Sequence, residues 1–313
     1  MKAFISHQSA LEFWRIQLVL PQSDSRRCRT TLSGNLPAIE QVWLPGLTLP
    51  LHIMLQKAGK RRARQEMKQH IFTGQTPAGC FIGIDNTLFV SSPEFCFLQM
   101  ASILPLIKLI ELGYELCGSY SLHAAGDPNI PARGFHIREP LTSAKRLAAF
   151  VSRMPGVKGR QKALRALSYI LDGSASPMET KLSIILTLPY KLVGFGFARP
   201  ELNRRIIPSK TDKRFSGKES YICDLYWPDH NLAVEYDSAL FHAGQDQIAE
   251  DSQRRNSLLM MGVAVITVTK QQLYGGKEFE KTARAIAKCL DKRIKVRNPD
   301  FAALHHNLRE QLL

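Results

Sequence analysis

Residues 221–242 read YICDLYWPDHNLAVEYDSALFH, and residues 250–269 read EDSQRRNSLLMMGVAVITVT. YICDLYW, NLAVEYD and VAVITVT are short apolar runs rich in Val, Ile and Tyr, bounded by Pro, Asp and Gly, and they read as strands. Carboxylates are costly inside a strand unless they hold a cation or a partner. Yet Asp224 lies in the first run, and Glu235 and Asp237 lie in the second. If Trp227 to Asn231 is the connecting turn, the two strands pair antiparallel and bring Asp224 and Glu235 to one end. Glu235 and Asp237 are two residues apart and share a face, with Tyr236 on the other. Acids so placed suit a hard divalent cation, Mg2+ or Mn2+, which binds one or a few carboxylates together with water and substrate phosphates.

Immediately upstream, SPMETKLSIILTLPY (176–190) reads as a capped helix, with Ser176 as N-cap and Pro177 at the first helical position. Glu179 then has two readings: the reciprocal acid of a capping box, or a helical acid added to the cluster. A cation held there would activate water against a phosphodiester and neutralise charge in the transition state. Glu179, Asp224, Glu235, Asp237 and His242 are the candidate catalytic residues, with Glu179, Asp224 and Glu235 as metal ligands. His242 lies just past the second strand, where it either shuttles a proton or packs. Arg254 and Arg255, with the basic segment 204–218, are candidates for holding a nucleic-acid backbone. Asp251 and Arg255 are four apart on the next helix, a spacing that equally suits an ordinary surface ion pair.

The whole chain agrees with a polyanionic partner. Its 42 Lys and Arg against 27 Asp and Glu give a net charge of +15, which favours nucleic acid before membrane. The densest run, KAGKRRARQEMKQH (57–70), makes Lys57, Lys60, Arg61, Arg62 and Arg64 further candidates for contact with DNA phosphates. A merely solvated surface is the alternative. The six cysteines form no CxxC pair, so buried free thiols explain them better than zinc or disulfides. The N-terminus does not read as a signal peptide, and no apolar run approaches the roughly 20 residues that span a bilayer. We expect a cytoplasmic protein with no membrane association.

A chain of 313 residues exceeds the size at which single cores stop growing, and the small-residue stretch at Gly173 is the natural boundary. We expect an α/β protein: an N-terminal mixed α/β, mainly helical domain over 1–172, a second domain over 173–290, and a polar tail over 291–313 with a short final helix. Within the first domain we expect a helix over 5–20 capped by Ser6 or Ser9, and a hairpin with Asp85-Asn86 at its tip. We further expect a helix started by Ser92-Pro93, a helical run over 103–112 ended by Gly113, and two helices within 141–172 separated by Pro155-Gly156 and closed by Gly173.

The pattern CDLYWPDHNLAVEYDSALFH followed by EDSQRRNSLLMMGVAVITVT resembles the very-short-patch-repair-like endonuclease domain of the PD-(D/E)XK superfamily and its uncharacterised relatives. The match falls on Asp224, Glu235, Asp237, His242, Asp251 and Arg255, with Glu179 as the helical acid, and covers about residues 176–270. It implies a restriction-endonuclease-like domain, a mixed central sheet flanked by helices, that acts as an Mg2+-dependent endonuclease on DNA in phage defence or repair. A non-catalytic DNA-binding regulator on the same fold is the alternative. The superfamily's usual Lys two residues after the Glu is here Asp237, a form shared by the repair-like relatives, and Lys270 is a candidate replacement. Ser238 stands where relatives often carry Gly. ISHQSALEFW (5–14) and NTLFVSSPEFCFLQMA (86–101) resemble more faintly a module of abortive-infection antitoxin regulators. That likeness implies a DNA-positioning role, with a homodimer or a toxin–antitoxin partner.

Overall fold

Short apolar runs separated by turn residues build a sheet in each half of the chain, and helices cover the sheets. The computed structural model describes residues 2–16, 27–28, 31–33, 35–57, 65–123, 134–209, 213, 218–237, 245–296 and 298–313. The chain is mixed α/β throughout and divides into two units, Met1–Asp172 and Gly173–Leu313.

The first unit carries a six-stranded sheet of β1 (Ala3–Ile5), β2 (Arg27–Cys28), β3 (Leu51–Leu55), β4 (Met67–Ile71), β5 (Phe81–Gly83) and β6 (Leu88–Ser91), ordered β2-β5-β6-β1-β3-β4. β1 runs parallel to β6 and antiparallel to β3, and all three of its residues are buried. The helix expected over 5–20 therefore starts later, as α1 (His7–Ile16). Ser6 stands just before α1 and its carbonyl accepts the Ala10 N–H, while its Oγ donates to the His52 carbonyl; Ser9 lies within the helix and its Oγ accepts the His52 N–H.

Asp85 does close the expected hairpin: its Oδ1 accepts the Thr87 and Leu88 N–H groups at 2.6 and 2.8 Å. Ser92 Oγ accepts the Phe95 N–H and opens α2 (Pro93–Met100), which is buried along its whole length. α3 (Leu106–Cys117) runs straight through Gly113, correcting the expected stop. A Cβ at Gly113 would lie 2.1 Å from Ile170 Cδ1, so this glycine permits close packing rather than ending a helix. β7 (Tyr120–Leu122) and β8 (Phe135–Ile137) form a separate pair. α4 (Ala144–Ser152) and α5 (Arg160–Leu167) flank Pro155-Gly156. α5 ends six residues before Gly173, which is therefore not its cap.

The second unit opens on α6 (Pro177–Thr187), where Ser176 Oγ accepts the Glu179 N–H at 3.2 Å. Its strands, β9 (Glu201–Ile206), β10 (Tyr221–Trp227), β11 (Leu232–Asp237) and β12 (Ala264–Thr269), are ordered β12-β11-β10-β9. The turn at Pro228–His230 ends on Asn231 with φ 45, a left-handed position that Asn tolerates, and β10 and β11 pair antiparallel. β11 and β12 are parallel, so they need a crossover, and α7 (Gln245–Met260) supplies it.

α7 ends in a Schellman motif. The Val263 N–H donates to Leu258 O and the Gly262 N–H to Leu259 O, both at 2.9 Å, with Gly262 at φ 77. Leu258 and Val263 then join one core with Tyr221, Cys223, Tyr226 and Ala233. α8 (Lys270–Tyr274) and α9 (Gly276–Cys289) follow.

The short final helix expected within the polar tail is α10 (Phe301–Leu312), and five of its residues are buried. Its His305 ring packs edge-on to Phe195 and stacks with Phe301. Among the described cysteines, Cys80, Cys96, Cys117 and Cys223 are buried free thiols and Cys289 is exposed. No described helix is long and apolar enough to cross a membrane.

Candidate active site

The β9–β10 ladder runs in one register from Tyr221↔Ile206 to Tyr226↔Glu201 and is interrupted where Asp224 would face Asn203. Asn203 is in the left-handed region, φ 48, a conformation that Asn tolerates but that is out of place inside a strand. The alternation of faces slips at the same point. Tyr221 and Cys223 lie in one core cluster at the period of two, and Tyr226 joins it one residue out of step. The sheet is thus deformed around Asp224, the acid that the sequence singles out.

The Asn203 side chain uses that deformation. Its Nδ2 donates to Glu179 Oε2 at 2.6 Å and to Gly173 O at 2.9 Å. Glu179 Oε2 also accepts the Ala175 N–H at 2.9 Å. The capping box is therefore half formed: Ser176 receives the Glu179 N–H, while the Glu179 carboxylate reaches past Ser176 and is shared with Asn203. Glu179 is buried on α6. Asn203 is a site residue that the sequence reading missed, and its one signal was an Asn, tolerant of positive φ, inside a strand.

Asp224 sits one residue beyond the last β10–β11 pair, Leu225↔Val234. Its Oδ2 accepts the Tyr236 N–H at 2.8 Å, so the carboxylate takes the place of a backbone acceptor where the strands part. Continuing that register sets Asp224 across from Glu235. Burial, then the negative charge of Glu179, push the Asp224 carboxyl up to about 7; Glu235 adds to this, while the Tyr236 N–H and Arg254 oppose it.

Glu235 is held by α7. Arg254 Nη1 donates to its Oε2 at 2.7 Å, and Nη2 lies 2.7 Å from its Oε1. Arg254 also donates to the Ile222 carbonyl. Burial raises the Glu235 carboxyl above its ordinary value against the pull of Arg254. The neighbouring Cys223 thiol is pushed up to about 12, by burial first and then by Glu235.

The structure thus gathers Glu179, Asp224 and Glu235, and it commits Arg254 to Glu235. Asp237 ends β11, half-buried, in register with Thr269. Arg255 is exposed on α7, near enough to Glu235 to act on its charge. Lys270 is exposed and lies over the Tyr274 ring at 5.8 Å. Lys57 is exposed in the first unit. His242, Lys60, Arg61, Arg62 and Arg64, and the side chain of Asp251, lie outside the described residues.

Among the described residues no group of three or more His, Cys, Asp or Glu is arranged to hold a metal ion, and Glu235 is bound to Arg254. The fit to a hard cation rests on Asp224 and Glu179. Both are oxygen donors, and the repulsion between them is what a cation relieves. Two carboxylates completed by water and phosphate oxygens suit Mg2+, which rarely occupies an all-protein cage.

No family model matches this chain, and no solved structure matches it. Two Mycobacterium tuberculosis proteins, from strains CDC 1551 / Oshkosh and ATCC 25618 / H37Rv and each named only as uncharacterised, are 29% identical to it over 131 residues. That alignment spans 42% of this chain and 43% of each relative, less than half of either.

Proposed function

We propose that the second unit is a divalent-metal-dependent nuclease that hydrolyses phosphodiester bonds in DNA. The observation that carries this reading is the meeting of Glu179, Asp224 and Glu235 where the β9–β10 ladder is broken and Asn203 takes a left-handed backbone inside a strand. Like-charge crowding of buried carboxyls clusters at functional sites. A mixed four-stranded sheet with helices beside it, α6 bringing Glu179 and α7 bringing Arg254 to the cluster, is compatible with the restriction-endonuclease-like domain that the resemblance implies.

Asp224 and Glu179 would hold Mg2+ or Mn2+, which when bound supplies charge neutralisation at the phosphate and a water of lowered pKa. The remaining roles fall to the chain itself. The Tyr236 N–H orients Asp224, and Asn203 with the Ala175 N–H orients Glu179. Glu235, raised by burial, accepts the proton of the attacking water, and Arg254 fixes the position of that base. The net charge of +15 draws the DNA backbone.

One observation favours a second reading, a DNA-binding regulator. The Glu235–Arg254 pair is already neutralised without any cation. Incubation of supercoiled plasmid with the full chain separates the two. The nuclease reading expects nicking or cutting with Mg2+ or Mn2+, none with chelator, and a loss on the order of 100-fold or more in Asp224→Asn and Glu179→Gln. Plasmid that is retarded in a gel but left intact with either metal supports the regulator and overturns the nuclease.

A further inference from the structure

The first unit holds a histidine cluster that the acidic site does not use. His7 opens α1, His52 lies in β3 and His70 in β4. The His7 and His70 rings stack with centroids 3.5 Å apart and planes 15° from parallel. His70 Nε2 lies 3.1 Å from His52 Nδ1, and His7 Nδ1 lies 3.1 Å from Ser6 Oγ. The His7 backbone is itself left-handed, φ 48, and its N–H donates to the buried Gln99 side chain at 2.9 Å. Strain at a non-glycine residue persists only where its surroundings impose it, and such residues cluster at ligand sites.

Beside these rings lies a cavity of about 520 Å³, bounded in part by His7, His70, Gln69, Gln99, Ser102 and Lys158. That volume is within the range of small-molecule pockets, roughly 300–1,000 Å³. No Asp or Glu is among the described residues that line it. Phe72 and Phe95 meet edge to face at 5.7 Å on its wall.

The charged groups around the cluster are biased to one sign. Lys68 of β4 bears on all three histidines. Glu12 of α1 bears on His52 alone, and its two oxygens already receive the Thr48 N–H and hydroxyl at 3.0 and 2.6 Å. Burial first, then the neighbouring imidazoles and Lys68, hold His70 down at about 4 and His7 lower still. A metal centre is not what the rings are set for: stacked imidazoles present faces, not lone pairs, to each other, and no three-ligand group is formed among the described residues.

We propose that this cavity binds the phosphate group of a small phosphorylated molecule of nucleotide size, with His7 and His70 as its principal contacts and Phe72 and Phe95 as an apolar wall for the remainder. A phosphate dianion favours the protonated imidazoles that burial, and after it the neighbouring positive charge, disfavours, so binding takes up protons and tightens as pH falls.

The test is an NMR titration of the imidazole resonances of the full chain with inorganic phosphate, with adenosine monophosphate, and with a DNA duplex, each separately. The proposal expects saturable shifts of His7 and His70 with phosphate and with the mononucleotide. It also expects a rise of about one unit or more in their titration midpoints, an affinity at least tenfold lower in His70→Gln, and unchanged binding in Asp224→Asn. Absence of any saturable shift at millimolar phosphate and mononucleotide overturns it in the wild-type chain, whatever the folding of the variants. So does a shift produced by the duplex alone, which would make the cavity a contact for the DNA backbone. A folded His70→Gln that binds as tightly as wild type also overturns it.

Discussion

Asp224 concentrates the physical tension of the second unit. Its carboxyl is raised to about 7 from an ordinary value near 3.9 in an unfolded chain. The folded state therefore holds this proton more tightly than the unfolded state, and the group's contribution to stability falls as pH rises through the interval between those two values. Asp224→Asn keeps an oxygen to accept the Tyr236 N–H and removes the buried charge. The variant is expected to melt several degrees above wild type at pH 8 without metal, to match it near pH 4, and to flatten the slope between. Thermal melts across that range check this. A variant that is less stable than wild type at pH 8 would mean the carboxylate is satisfied by its surroundings.

The sequence made this residue conspicuous because an Asp in YICDLYW has no reason to be there for packing. It did not reveal Asn203, whose role depends on a left-handed backbone and on Glu179 arriving from another element. Nor did it show that Arg254 is held by Glu235 rather than left for phosphate, since pairing across 19 positions is set by how α7 docks.

Among the elements, glycines show how one residue type serves two ends. Gly262 is left-handed at the end of α7, and a Cβ there would meet nothing within 4 Å. Gly262→Ala is therefore a pure backbone test and is expected to cost about 1–2 kcal/mol. Gly113 is helical, and a Cβ there would strike Ile170. Gly113→Ala is expected to cost about 1–3 kcal/mol through overpacking and to be partly rescued by Ile170→Val. Urea denaturation of each glycine variant, with and without Ile170→Val, checks both, and rescue of Gly262→Ala by Ile170→Val would contradict the distinction.

Local chemistry made the strands, turns and caps readable: Asp85 in its hairpin, Ser92-Pro93, Ser176-Pro177 and the Pro228–Asn231 turn form as their residue types dictate. What local chemistry misassigned was settled by tertiary contact. The AFI run became a central strand because β3 and β6 cover both of its edges. Gly113 stayed helical beside Ile170, and the short final helix expected over the polar tail proved to be packed, its His305 against Phe195 and Phe279.

At the scale of the molecule, two mixed α/β units each carry an unusual cluster. The second gathers acids around a broken ladder, and the first gathers imidazoles around a cavity. The acidic cluster was legible because its residues lie close in sequence, whereas His7, His52 and His70 come from three separate strands or helices and left no local pattern. Cation binding at the acids is the claim on which the nuclease reading stands, and it can be measured without any DNA. Electron paramagnetic resonance of Mn2+ added to the full chain at pH 8 reads the free ion directly. Wild type is expected to deplete the free signal saturably and release it to excess Mg2+, and Asp224→Asn, checked for folding by circular dichroism, is expected to leave the signal intact. A wild-type chain that depletes no Mn2+, or a variant that depletes as much as wild type, would contradict a metal site at Asp224.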